Sequence, residues 1–160
     1  AQVGSTAELE GTIYSGDWTQ AYAYLFALNT VPQYMDAPRA ILSKHTPSGE
    51  RMCLRLHKAL YGGKASAGLW DACCDTWYTN YGFRRSLGDP RLYVLTRGTA
   101  RITMVLATDD TSIGVPHEKY FKGSHALYED YVAALQLDFL RPDGSSGFTA
   151  KGACASVGIF

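Results

Sequence analysis

Long apolar runs are missing from this 160-residue chain, and their absence excludes a helical membrane span. No charged-then-apolar leader is read at its start, and the missing initiator Met is expected of a processed product or a fragment. A surplus of either charge is lacking too. Lys plus Arg and Asp plus Glu each number 15, with a sequence pI near 7.1, which argues against strong nucleic-acid binding because phosphate contacts usually demand a basic excess. Paired cysteines are absent: Cys53, Cys73, Cys74 and Cys154 lack the two-pair spacing of a zinc site, and neighbours such as Cys73 and Cys74 do not bridge easily. Small buried thiols in an intracellular reducing compartment are expected, with an organelle still open if a targeting peptide has been removed. His45, His57, His117 and His125 form no i, i+4 pair and are given no chemistry. Internal repeats, linkers and low-complexity tracts are missing as well.

What is present is a 46% hydrophobic chain, long enough for one domain with a real core. Ala1 to Ala7 is expected to fray. Gly11 to Asp17 reads as a short strand. From Thr19 the spacing of Ala21, Tyr22, Leu25 and Leu28 predicts a helix that Asn29 to Pro32 stops. Tyr34 to Pro38 is a crossing strand or loop and Ser43 to Glu50 a turn cluster. Arg51 to His57 alternates as a half-buried strand. Gly62 and Gly63 precede a long helix, Ser66 to Tyr81. On it Leu69, Cys73 and Trp77 form one apolar row and Trp70, Cys74 and Tyr78 another, with Asp71, Asp75 and Thr79 on the wet side. Tyr93 to Thr96 is a strand and Gly98 a turn. A last helix runs from His117 to Leu135, with Phe121, Tyr128, Tyr131 and Leu135 inward. After a loop at Asp143 to Gly147, small β-prone residues close the chain. This order gives an α+β two-layer domain, an antiparallel sheet with helices packed on one face.

Between the last two helices stands RITMVLATDDTSIGV, Arg101 to Val115, two β-prone runs with Asp109 and Asp110 at the tip of a predicted hairpin. Aspartates suit tight turns, so one reading makes them turn formers. The other notes that two adjacent carboxylates on one sheet edge repel unless a divalent cation neutralises them.

Six segments in order add to this. KALYGGKASAGLW (Lys58 to Trp70), YGFRRSLGDPRLYV (Tyr81 to Val94) and MVLATDDTSIG (Met104 to Gly114) follow Asp17-Trp-Thr-Gln-Ala-Tyr-Ala and Gln33-Tyr-Met-Asp-Ala-Pro, and Ser156-Val-Gly-Ile comes after them. Together they resemble the reverse transcriptase of copia-type retrotransposons across nearly the whole chain.

The resemblance implies a polymerase palm, ferredoxin-like, spanning residues 1–160 as a single domain, with the fingers before it and the thumb after it absent. It implies nucleotidyl transfer by two metal ions, Mg²⁺ or Mn²⁺, with Asp17, Asp109 and Asp110 as catalytic and metal-holding carboxylates. Tyr22 falls where the family keeps an aromatic that excludes a ribose 2′-hydroxyl; by spacing alone it is a packed helix residue. Implied partners are an RNA or DNA primer–template and deoxynucleoside triphosphates. Three positions depart from the pattern: Ala65 replaces a Gln that seats the nucleotide, Gly68 an Arg, and Ala107 the aromatic before the Asp pair. A second reading is therefore a domesticated, non-catalytic structural subunit whose partners are other proteins of a larger assembly. Eleven tyrosines and three tryptophans, where exposed, would serve such contacts; otherwise they pack inside.

Overall fold

The computed structural model describes residues 9–24, 32–36, 38, 46–50 and 52–159. Expectations on Ala1 to Ala7, on Leu25 and Leu28 with the stop at 29–31, on residues 43–45 and on Arg51 lie outside the described residues. The elements are β1 (Leu9–Trp18), α1 (Ala21–Tyr24), β2 (Gln33–Asp36), β3 (Cys53–Leu56), α2 (Ser66–Tyr81), β4 (Arg84–Arg85), β5 (Leu92–Arg97), β6 (Ala100–Ala107), β7 (Asp110–Pro116), α3 (Ser124–Asp138) and β8 (Phe148–Ile159). Six strands form one antiparallel sheet in the order β4-β5-β6-β7-β1-β8, and β2 pairs with β3 in a separate small sheet. This is an α+β fold. Because β7 lies between β1 and β6, and β1 between β7 and β8, two β-α-β units interleave.

One face of the sheet carries the core. Alternation on β6 buries Ala100, Ile102, Met104 and Leu106, and Tyr93, Leu95, Ile113, Val115 and Trp18 join them from neighbouring strands. Against that face pack Trp70, Cys74 and Tyr78 of α2 and Leu127, Tyr128, Tyr131 and Leu135 of α3, all in one cluster. Tyr131 on α3 donates its hydroxyl to the Met104 sulfur at 3.0 Å and its ring meets Tyr78 of α2, so both helices share the same side. Most described tyrosines and tryptophans thus pack inward, while Tyr34, Tyr61 and Tyr120 are exposed. Gly16 is required by this packing, because a Cβ there would run into the buried Phe148 ring.

Helix α2 occupies the span its sequence spacing predicts. Gly62, at φ +84°, turns the chain ahead of it, Ser66 Oγ donates to Leu60 O at 2.6 Å, and Gly82 in the left-handed region ends it. The Trp70, Cys74, Tyr78 row is the deep one; Leu69, Cys73 and Trp77 are half-buried. Asp71 and Asp75 correct the expectation of a purely wet side. They are half-buried because Arg91 reaches Asp71 at 2.9 Å and the Tyr93 hydroxyl reaches Asp75 at 2.9 Å.

The last helix begins at Ser124 rather than at His117. The His117 amide still donates to Glu10 O in the manner of the sheet, and Gly123 then turns through φ +87°. Glu118 accepts from the backbone N–H of Gly123 and His125, which satisfies donors of the first turn from outside the helix. Phe121 therefore stands in the approach to α3, beneath the Arg101 guanidinium at 5.6 Å, while Tyr128, Tyr131 and Leu135 point inward as expected. The two-residue strand β4 has no periodic signal in the sequence and is recruited by pairing with β5. No helix among the described residues is long and apolar enough to cross a membrane.

Candidate functional site

The acidic corner is built by strand alternation. Trp18 at the end of β1 is buried in the core, so Asp17 beside it faces the opposite side of the sheet. Thr111 on β7 is buried in the same way, which turns Asp110 outward. Asp17 and Asp110 are direct register partners across β1 and β7, so both carboxylates stand on the face the helices leave open. Asp17 is half-buried and Asp110 exposed.

The hairpin tip is one residue earlier than the sequence suggests. Ala107 pairs with Asp110, so the two-residue loop is Thr108-Asp109 and Asp110 opens β7. Thr108 takes a positive φ of 59°, a value rare for a β-branched residue. Its carbonyl accepts the Trp70 indole N–H at 2.6 Å, the Asp109 carbonyl accepts the Trp18 amide at 2.9 Å, and the Trp18 indole donates to Thr111 Oγ1 at 3.2 Å.

Tyr22 of α1 is buried and its ring lies 4.7 Å from that of Tyr61 and 6.4 Å from that of Trp70. Burial first, then the Asp109 charge, holds the Tyr22 hydroxyl above its ordinary pKa. Tyr61 is raised by the same two causes in the same order, with Asp17 adding a smaller push and a backbone hydrogen bond with Ala21 opposing them. Two tyrosines thus sense the acidic corner from one side. From the other, Lys151 on β8 places its ammonium 4.0 Å from Asp17.

Asp17 and Asp110 are therefore brought together by register, with Asp109 at the tip next to them. Yet among the described residues no group of three His, Cys, Asp or Glu gathers as a metal ion would need. A hard divalent cation wants convergent oxygens, and in this arrangement an ammonium stands 4.0 Å from Asp17. The three carboxylates do not fit a bound metal as they stand. Of the departures noted in the sequence, Ala65 precedes α2, Gly68 has no atom within 4 Å of where a Cβ would be, and Ala107 is exposed opposite Asp110.

Sequence reading missed Thr108, Tyr61 and Lys151 as neighbours of the acids. Tyr61 and Trp70 lie in quoted motifs, but nothing in their spacing says that they meet the hairpin. Lys151 carries no local signal at all.

Over 91 residues the chain is 35% identical to a retrovirus-related Pol polyprotein from transposon RE2 of Arabidopsis thaliana. It is 33% identical to the corresponding polyprotein from transposon RE1 of the same plant. This similarity supports a retrotransposon-derived protein. The matched stretch is 57% of this chain and 6% of each relative, so the chain spans a small fraction of their length. No protein-family model matches it, and no solved structure does.

Proposed function

We propose that this chain is a copia-type reverse-transcriptase palm, by descent part of an RNA-directed DNA polymerase, and weak or inactive in nucleotidyl transfer by itself. The observation that carries the reading is the register pairing of Asp17 with Asp110 on the open sheet face, beside the tip residue Asp109, in a chain similar to retrotransposon Pol polyproteins. The interleaved β-α-β units around β6, β7, β1 and β8 support a palm-like, ferredoxin-like arrangement. In this reading Asp17, Asp109 and Asp110 are the catalytic carboxylates, and they would have to converge further than they do here to hold the Mg²⁺ or Mn²⁺ that phosphoryl chemistry requires. Tyr22 belongs to the nucleotide side of the corner. The primer–template and triphosphate need further contacts, from segments that grip the duplex and the triphosphate, for positioning to be effective.

A second reading has its own observation. Lys151 lies beside Asp17, and no three-acid group forms among the described residues, which favours a palm retained as a non-catalytic structural subunit of a larger assembly. Calorimetric titration with Mn²⁺, with and without a primer–template and a deoxynucleoside triphosphate, separates the two when run beside a primer-extension assay. Saturable binding that Asp109→Asn abolishes, together with extension, supports the polymerase reading. Absence of both cation binding and duplex affinity overturns it in favour of the structural one.

A further inference from the structure

We infer that Trp70 is a positioning residue for the acidic corner: its indole N–H clamps a strained Thr108 and so fixes where Asp109 stands relative to Asp17 and Asp110. The inference rests on the reading of Asp109 as a site residue, and it adds the device that holds that residue.

The turn is built against the preferences of its sequence. In a two-residue hairpin loop, a positive φ at the first position alone is the place of glycine. Here Thr108 occupies it at φ 59°, with a branched Cβ that makes the left-handed region costly. Such a conformation persists only where the surroundings over-determine it. They do so here through two tryptophans on different elements. Trp70, fully buried on α2, donates to Thr108 O at 2.6 Å. Trp18, buried at the end of β1, donates its amide to Asp109 O at 2.9 Å and its indole to Thr111 Oγ1 at 3.2 Å. The two rings meet edge to face, 5.3 Å between centroids. Thr108 and Thr111 are thus each tied to one of two indoles and Asp109 to the Trp18 backbone amide, and Trp18 directly follows Asp17 in the chain. Through Trp70 the register of α2 is transmitted to the carboxylate at the tip.

The test is a cycle of Trp70→Phe, which keeps a ring and removes the donor, and Thr108→Gly, which removes the strain, read by hydrogen exchange at the Trp18 amide. Trp70→Phe is expected to speed that exchange roughly tenfold, the equivalent of about 1.4 kcal/mol of local opening. In the Thr108→Gly background the same change should alter it by no more than about twofold, because glycine holds the turn without the clamp. Equal acceleration in both backgrounds, or none in the first, overturns the inference. The unmutated protein gives a second arm if Trp70→Phe does not fold: the Trp70 indole proton should exchange far more slowly than that of Trp77, whose indole bonds to Asp138 at the surface. Equal rates overturn the clamp. A Mn²⁺ titration of the same variants separates the two claims. Binding weakened roughly tenfold by Trp70→Phe and restored by Thr108→Gly supports positioning of Asp109 as a ligand. Binding unmoved by Trp70→Phe overturns that role. A wild type that binds neither Mn²⁺ nor the primer–template defeats the polymerase reading alone, and the exchange data then decide the clamp by themselves.

Discussion

Two pairs of aspartates in this molecule have opposite surroundings. Asp71 and Asp75, one turn apart on α2, each meet a guanidinium, Arg91 at 2.9 Å and Arg85 at 3.4 Å, and Asp75 also accepts from the Tyr93 hydroxyl. Asp17 and Asp110 instead face each other across two strands, with one ammonium at 4.0 Å from Asp17. The first pair ties the Arg91 and Tyr93 segment to the helix and is a structural fastening. The second sets like charges side by side at a sheet corner, where cross-strand repulsion works against folding. An arrangement that costs stability at a surface, in a fold that pairs Asp71 and Asp75 with cations, is what the proposed function rests on.

The contrast is broken most strongly on the fastening side. Replacing Asp71 and Asp75 together by Ala should lower stability by about 2 kcal/mol in chemical denaturation, a figure already discounted because all four charged partners are more than a third exposed. Tyr93→Phe alone should cost about 1 kcal/mol, since the buried ring stays and the hydroxyl bond to Asp75 is lost. In the corner the sign should reverse: Asp110→Asn is expected to stabilise by roughly 0.2–1 kcal/mol, measured by the same unfolding curves, while removing any cation binding. A loss of stability there would mean that Asp110 is structural and would dissolve the comparison.

The smallest effect concerns a carboxylate that belongs to neither pair. Glu118 is held below its ordinary pKa by backbone hydrogen bonds from His125 first and Gly123 second. Its contribution is therefore complete above the ordinary glutamate pKa and fades as pH falls through the lowered value. Glu118→Gln should flatten that part of the acid limb of the stability curve and leave neutral pH little changed.

Some of this could be read from residue order. Helix α2 was legible because its apolar rows are long and glycines stand at both ends. The two β-prone runs flanking the Asp pair were equally plain, whereas the link between Asp17 and that hairpin came only from the family resemblance. The start of α3 was not, because the run from His117 to Phe121 has helical composition, while the cap is a side chain reaching back from Glu118 to Gly123 and His125. Nor was the hairpin register, since Asp-Asp suits a turn better than Thr-Asp by local preference. The tryptophan clamp overrode that preference. Asp71 and Asp75 looked solvent-facing because their partners lie many residues later in the chain.

By itself the sequence determined the α+β class and the main helix and strand faces, while the family resemblance named the acids that meet. The class and the faces follow from periodicity and from the chemistry of single residues, which act over a few positions. Tertiary structure alone decided that the loop is Thr108-Asp109, that Lys151 stands by Asp17, and that two indoles hold the tip. Each of those depends on contacts between distant segments, and only the pairing of β1 with β7 and β8 and the seating of α2 on the sheet bring them within bonding distance.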